Sequence, residues 1–333
     1  MSVYTASESR YSDMQYRSCG ESGLKLPVVS LGMWHNFGKK DSFANMKQMC
    51  FTAFDRGITH FDLANNYGFP NIGSAEENMG KILKENFSAY RNELIISSKA
   101  GYRMWEGPYG EWGSRKSLLA SLDDSLKRLQ LDYVDIFYHH RPDPNTPLEE
   151  TISALDYAVK SGKALYAGLS NYDGETMEKA AEIFSSLHCP FVINQNPYSI
   201  LNRSPEKSGL LASARKCGKG VIVFSPLAQG LLTDKYLHGI PENSRVKTSG
   251  IFLKESNLDA DTLDKVRKLN ELAAQRGETL AQMALSWLLA KKEVTSVLIG
   301  ASSPEQIAEN ARVTHSPAFT EEELALIDSV SLA

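Results

Sequence analysis

Basic residues are not in excess in this 333-residue chain: 36 Lys and Arg face 40 Asp and Glu, a formal net charge of −4. Such a balance offers no positive field to a phosphate backbone or an anionic lipid, so neither nucleic acid nor a membrane surface is an expected partner. Cysteine is scarce as well. The four present, Cys19, Cys50, Cys189 and Cys217, lack metal-type spacing and read as reduced thiols, and no metal is expected. No apolar run approaches the length needed to cross a bilayer, and the N-terminus has no charged-then-apolar leader. A cytoplasmic location is the expectation. Also missing is any G-x-G-x-x-G phosphate loop; Gly218-Lys219-Gly220 precedes a strand instead of following one, and reads as a turn.

What the chain does contain is one unit repeated. Short apolar runs of buried-strand length alternate with stretches whose apolar residues recur at helical spacing. Strands are expected over Val28 to Gly32, His60 to Asp62 (within the run Ile58 to Leu63), Leu94 to Lys99, Tyr133 to His139, Ala164 to Leu169, Phe191 to Gln195, Gly220 to Phe224 and Ser296 to Ile299. Helices are expected over Asp41 to Arg56, Ser74 to Asn86, Ser114 to Leu129, Thr146 to Ser161, Gly174 to Leu187 and Lys207 to Lys216. After the seventh strand, a segment rich in Gly, Asn, Ser and Lys runs to about Asn257 and is followed by helices over Asp261 to Arg276 and Thr279 to Leu289. After the eighth come Pro304 to Arg312 and Thr320 to Val330. Ser74 and Glu77 have capping-box spacing. Ahead of the repeat, Gln15 to Leu26 turns at Gly20-Glu21-Ser22-Gly23 as a hairpin suited to plugging one end.

Strict alternation demands parallel neighbours, because crossover helices are what parallel strands require. Closing that sheet gives an α/β fold, a (β/α)8 TIM barrel forming one domain over residues 1–333, with an N-terminal hairpin and a C-terminal extra helix. Its active site is then expected at the C-terminal ends of the strands. Asp62 ends the second strand, with Tyr67 in the loop beyond; Lys99 ends the third; His139 and His140 end the fourth. These groups suit reduction of a carbonyl. Hydride arriving at carbon leaves an alkoxide that needs a proton, and Tyr, with a pKa of about 10, needs help to give one. A nearby ammonium is expected to lower that pKa, with Asp62 holding Lys99 charged and oriented.

The same residues resemble the aldo-keto reductases over nearly the whole chain. The motifs are Gly57 to Gly68 (GITHFDLANNYG), Ile96 to Lys99 (ISSK), Asp132 to His140 (DYVDIFYHH) and Gly168 to Asn171 (GLSN). By that resemblance Tyr67 is the general acid, Lys99 and Asp62 its tuning pair, and His140 the residue orienting the substrate carbonyl. The choice of His140 over His139 follows the family's His-x-Pro ending, here completed by Pro142. Adjacent strand residues point to opposite faces, so only one of the two should face the mouth.

NADPH is the cofactor the resemblance implies. Ser170, Asn171 and Gln195 match residues that bond the nicotinamide carboxamide, and Phe224 the aromatic stacked on its ring. Ser225, Leu227 and Gly230 would line the pyrophosphate, and Lys235 and Arg245 would meet phosphates. In the loop from Gly300, Ser302 and Gln306 are candidates for the 2′-phosphate, Glu309 and Asn310 for the adenine. A Lys and an Arg common in this loop among smaller relatives are missing, so NADPH over NADH leans on Arg245. Trp34, Tyr102 and Trp105 would wall the substrate pocket, with Trp34 also bordering the cofactor. Arg103 and Arg115 are candidates for a substrate phosphate, or plain solvated charges.

Trp34 to Gly38 (WHNFG), Gly101 to Trp105 (GYRMW), Gly113 to Lys116 (GSRK) and Pro142 to Pro147 (PDPNTP) are most like bacterial reductases of L-glyceraldehyde 3-phosphate and methylglyoxal, and the β subunits of voltage-gated potassium channels. Two classes follow: a reductase of small aldehydes, or an NADPH-binding redox sensor like the channel subunits, which typically carry Asn at the position of His140. The number of subunits stays open, a homo-oligomer included.

Overall fold

A computed structural model describes residues 4–237, 239–240 and 258–332; Arg245 and the segment 246–257 lie outside them. The chain opens with β1 (Tyr16–Ser18) and β2 (Lys25–Pro27), an antiparallel hairpin. The repeat follows as β3 (Val29–Gly32), α1 (Phe43–Asp55), β4 (His60–Asp62), α2 (Ser74–Ile82), β5 (Ile95–Ala100), α3 (Arg115–Leu129), β6 (Val134–His139) and α4 (Leu148–Lys160). It continues as β7 (Ala164–Ser170), α5 (Gly174–Ser186), β8 (Phe191–Pro197), α6 (Ser204–Lys207), α7 (Leu210–Lys216) and β9 (Gly220–Phe224). The last elements are α8 (Ala260–Gln275), α9 (Leu280–Leu289), β10 (Val294–Ile299), α10 (Pro304–Ala311) and α11 (Glu321–Leu332). Strands β3 to β10 close a parallel barrel in the order β10-β3-β4-β5-β6-β7-β8-β9. The expected TIM barrel is therefore the fold.

Helix packing follows the sequence pattern. In α3 the stripe Leu118, Leu122, Leu126 and Leu129 is buried against the strands, each side chain contributing about 1.5–3 kcal/mol. Two expectations are corrected. The helix over Lys207 to Lys216 is broken, because Gly209 takes a left-handed conformation (φ +70°) that ends α6 and starts α7. Ser74 forms no capping box. The N-cap of α2 is Gly73, and the Ser74 hydroxyl donates to the Gly68 carbonyl (3.1 Å) and accepts from Lys39 N–H (3.0 Å), pinning the loop that carries Tyr67.

The barrel interior is divided. At the N-terminal end, Cys19 and Leu26 of the hairpin pack with Ile136, Tyr138, Ile193 and Ile222, closing the barrel. The neighbouring strands β10, β3, β4 and β5 add a polar set, the buried Ser296, Ser30, His60 and Ser97, beside Leu298 of β10, which joins the apolar cluster. Tyr138 fills the apolar half because its neighbour across β7 is Gly168; a Cβ there would lie 2.5 Å from the ring. Gly168→Ala is expected to destabilise the protein by about 1–3 kcal/mol through this overpacking, read as a lower urea midpoint. An unchanged midpoint would mean that the ring has room to shift.

Candidate active site

Backbone bonding beyond the strand ends fixes the mouth. Leu63 N–H donates to Ser97 O and Asn65 N–H to Lys99 O (both 2.9 Å), while His140 N–H reaches Ala100 O (2.8 Å) and Asn171 N–H reaches Gln195 O (2.9 Å). On this frame the expected quartet comes together. Asp62 Oδ2 is ion-paired with Lys99 Nζ, both side chains fully buried. The ammonium also donates to the Leu63 carbonyl (2.7 Å) and lies 3.3 Å from the Tyr67 hydroxyl. Asp62 Oδ1 accepts from Ser97 Oγ (2.7 Å) and Gln195 Nε2 (3.2 Å). The carboxylate thus has a partner on each oxygen, as a buried charge requires.

His140 completes the mouth. Its ring is 6.0 Å from Tyr67 and stands edge-on to Tyr102 at 4.6 Å, and its Nδ1 has no hydrogen-bond partner among the described residues. His139 points elsewhere: its Nδ1 is bonded to the Tyr172 hydroxyl (2.7 Å), and its ring packs beside Gly113. Strand alternation separates the two rings, as expected.

Electrostatics differ from expectation in one respect. Burial, with added repulsion from the Asp62 carboxylate, holds the Tyr67 phenol well above its ordinary pKa. The same burial lowers Lys99, opposed by Asp62. The phenol is therefore not pre-acidified; it stays fully protonated, with the cation beside it. Burial and the neighbouring Lys99 charge keep His140 well below the usual imidazole range, so it is neutral.

Buried neutral imidazoles carry a pH consequence. Burial pushes both His60 and His139 down to about 4. An unfolded chain protonates such rings near pH ~6.5, so their stabilisation is fully present above that pH and is lost as pH falls through about 4. Stability read from urea unfolding is expected to drop by about 1.4 kcal/mol per pH unit for each ring across this window. A flat profile there would mean that the rings are already charged in the fold.

Of the residues expected to hold a cofactor, Ser170 and Gln195 are paired across adjacent strands, as are Pro197 and Phe224. Asn171 (φ +61°) donates from Nδ2 to His140 O (2.9 Å) and Ser170 Oγ (3.2 Å). Phe224 is half-buried. Ser225 accepts from Gln229 Nε2 (3.1 Å). The Gly230 N–H donates to the Leu227 carbonyl (2.8 Å), closing the turn that follows Ser225. Lys235 is exposed in a short turn, its N–H bonded to Thr233 Oγ1. After β10, Gly300 is exposed, and Ser302 N–H and Oγ both reach Gln306 Oε1 (2.9 and 3.2 Å), while Ser303 caps α10. Asn310 is buried; Glu309 borders a cavity of about 570 Å³ with Glu278, Glu305 and Arg312.

Among the aromatics, Trp34 lies 6.4 Å from Tyr67, and Trp105 is half-buried in the loop with Tyr102. Arg103 pairs with Glu106. The Arg115 guanidinium donates to the Ser153 carbonyl (3.1 Å) and lies over the Tyr157 ring, while its backbone N–H donates to Glu150 Oε1 (3.0 Å). Sequence reading missed Ser97, although its position two residues from Lys99 puts it on the same strand face. It also missed Arg141, whose guanidinium is stacked between Tyr102 (4.2 Å) and Trp112 (3.7 Å) and paired with Glu111. No helix among the described residues is long and apolar enough to cross a membrane.

The chain as a whole is similar to known proteins. Residues 28–332 match the family model described as the aldo/keto reductase family. L-glyceraldehyde 3-phosphate reductase of Escherichia coli K12 is 56% identical over 98% of this chain and 95% of its own length. A putative voltage-gated potassium channel subunit beta of Schizosaccharomyces pombe is 37% identical over 96% and 93%. A crystal structure of a thermostable aldo-keto reductase with the inhibitor epalrestat has a TM-score of 0.74 at 33% identity, covering 95% of this chain and 100% of that one.

Proposed function

Because this chain belongs to the aldo/keto reductase family, we propose that it reduces small aldehydes to alcohols with NADPH, with Tyr67 as general acid. L-glyceraldehyde 3-phosphate and methylglyoxal are the substrates to try first. The observation that carries this reading is the Tyr67 hydroxyl 3.3 Å from an ammonium that is itself paired with a buried carboxylate.

The residues present suit NADPH. Ser170, Asn171 and Gln195 offer amide and hydroxyl partners at neighbouring strand ends, and half-buried Phe224 offers a ring face. Ser225, Leu227 and Lys235 would follow the pyrophosphate, with Arg245, outside the described residues, meeting a phosphate. Ser302 and Gln306 sit at a helix N-terminus, where donors favour an anion. When bound, NADPH supplies the hydride.

The chain's own residues supply the proton. Tyr67, neutral before reaction, donates its hydroxyl proton to the aldehyde oxygen as negative charge develops there. The phenolate left behind lies beside the Lys99 ammonium, and this attraction exists only once the proton has moved, so it favours the transition state over the ground state. Asp62 keeps the ammonium charged and aimed. Neutral His140 retains hydrogen-bonding capacity for the same oxygen, while Trp34 and Tyr102 help to exclude water.

Following NADPH absorbance with each aldehyde tests the reading. Turnover of either is the expected result. Tight NADPH binding with no aldehyde consumed would replace the reductase by a cofactor-sensing role.

A further inference from the structure

Beneath the mouth, the polar half of the barrel interior forms one connected chain. Ser296 Oγ lies 2.7 Å from Ser30 Oγ, Ser30 Oγ lies 2.9 Å from His60 Nδ1, and His60 Nε2 lies 2.9 Å from Ser97 Oγ. Ser97 Oγ ends the chain on Asp62 Oδ1 at 2.7 Å. All five side chains are fully buried. Four consecutive strands have thus placed hydroxyls and an imidazole where the opposite strands place Ile and Tyr.

The carboxylate at one end sets the direction of every bond. Ionised Asp62 can only accept, so Ser97 must spend its single proton on it. Ser97 then accepts from His60, which puts the imidazole proton on Nε2 and makes Nδ1 the acceptor of the Ser30 hydroxyl. Ser30 in turn accepts from Ser296. Each donor points its hydrogen toward Asp62, and in a dry interior such aligned bonds strengthen one another. Burial pushes His60 down to about 4, in keeping with a neutral ring.

We infer that His60 is a positioning residue for the reductase chemistry: through Ser97 it directs a one-way chain of hydrogen bonds onto Asp62, holding the carboxylate aimed at Lys99. This rests on the reading of Asp62, Lys99 and Tyr67 given above. His60 touches none of the reacting atoms. Its effect reaches Tyr67 through the ion pair: Oδ1 is occupied by Ser97 and Gln195, which leaves Oδ2 for the ammonium. The titratable groups facing Asp62 are His60 on its own strand, Lys99 from β5, Tyr138 from β6 and Tyr67 from the following loop.

Two measurements test the inference. In the wild-type protein at neutral pH, long-range proton–nitrogen NMR of the His60 ring, assigned by comparison with His60→Gln, is expected to show Nε2 protonated and Nδ1 bare. A proton on Nδ1 would reverse the chain and overturn the assignment without touching the reductase reading. In kinetics, His60→Leu is expected to lower kcat by about 10- to 100-fold with KM little changed. His60→Gln, which restores an N–H donor, should recover most of that kcat. Should His60→Leu fail to fold, Ser97→Ala carries the same expected loss of kcat. A kcat near wild type in the folded variants, or a loss that His60→Gln does not recover, would reduce His60 to core packing, whereas absence of aldehyde turnover by wild-type protein would remove the reductase reading itself.

Discussion

Tyr67→Phe is expected to fold, bind NADPH as wild type does and lose about 10²–10⁴-fold in kcat, the usual contribution of a general acid. Among the described residues the hydroxyl removed makes one hydrogen bond, 3.3 Å, with Lys99, and the ring stays in place against Trp34 and His140. Little stability should therefore be lost. Cofactor affinity by fluorescence titration and kcat with L-glyceraldehyde 3-phosphate separate the two effects. Retention of most of the turnover would assign the proton to another donor, of which the Lys99 ammonium, 3.3 Å from that hydroxyl, is the nearest.

Lys99→Met should be damaging twice. A fully buried ammonium that pairs with Asp62 and bonds the Leu63 carbonyl is replaced by an apolar chain of similar length. Removing one partner of a buried pair typically costs about 3–5 kcal/mol, because the remaining charge stays dehydrated without a counterpart. Urea unfolding reads that loss. Combining Lys99→Met with Asp62→Asn removes both charges and is expected to recover much of the stability with no recovery of activity. If the double variant is no more stable than the single one, the cost lies in packing and not in the orphaned carboxylate.

The barrel and the meeting of Asp62, Tyr67, Lys99 and His140 at its mouth were legible because both follow from period and position. Alternating strands and helices force parallel pairing, and the ends of neighbouring strands must share a mouth, which brings Asp62, Lys99 and His140 together and separates His139 from them. What escaped depended on burial or on competition between partners. Residue types alone put an ammonium near Tyr67 and suggested an acidified phenol; depth of burial reverses the sign. Ser74 had the spacing of a cap, yet the Gly68 carbonyl, brought close by the left-handed turn at that glycine (φ +99°), captured its hydroxyl. Lys207 to Lys216 carried a helical stripe, but Gly209 interrupts it. His60 was visible as a strand residue two places from Asp62, and its role was missed because its partners Ser30 and Ser97 belong to other strands.

The split between hydroxyl-bearing strands and hydrocarbon-bearing strands inside the closed sheet has a practical outcome for anyone altering this enzyme. Substitutions on one side of the same interior, around Gly168 and Tyr138, would be felt as melting alone; those on the other, around Ser30 and Ser97, would strand buried polar partners and so lower stability and turnover together. Thermal tolerance is therefore best sought on the hydrocarbon side, where a gain need not be offset by a slower reaction.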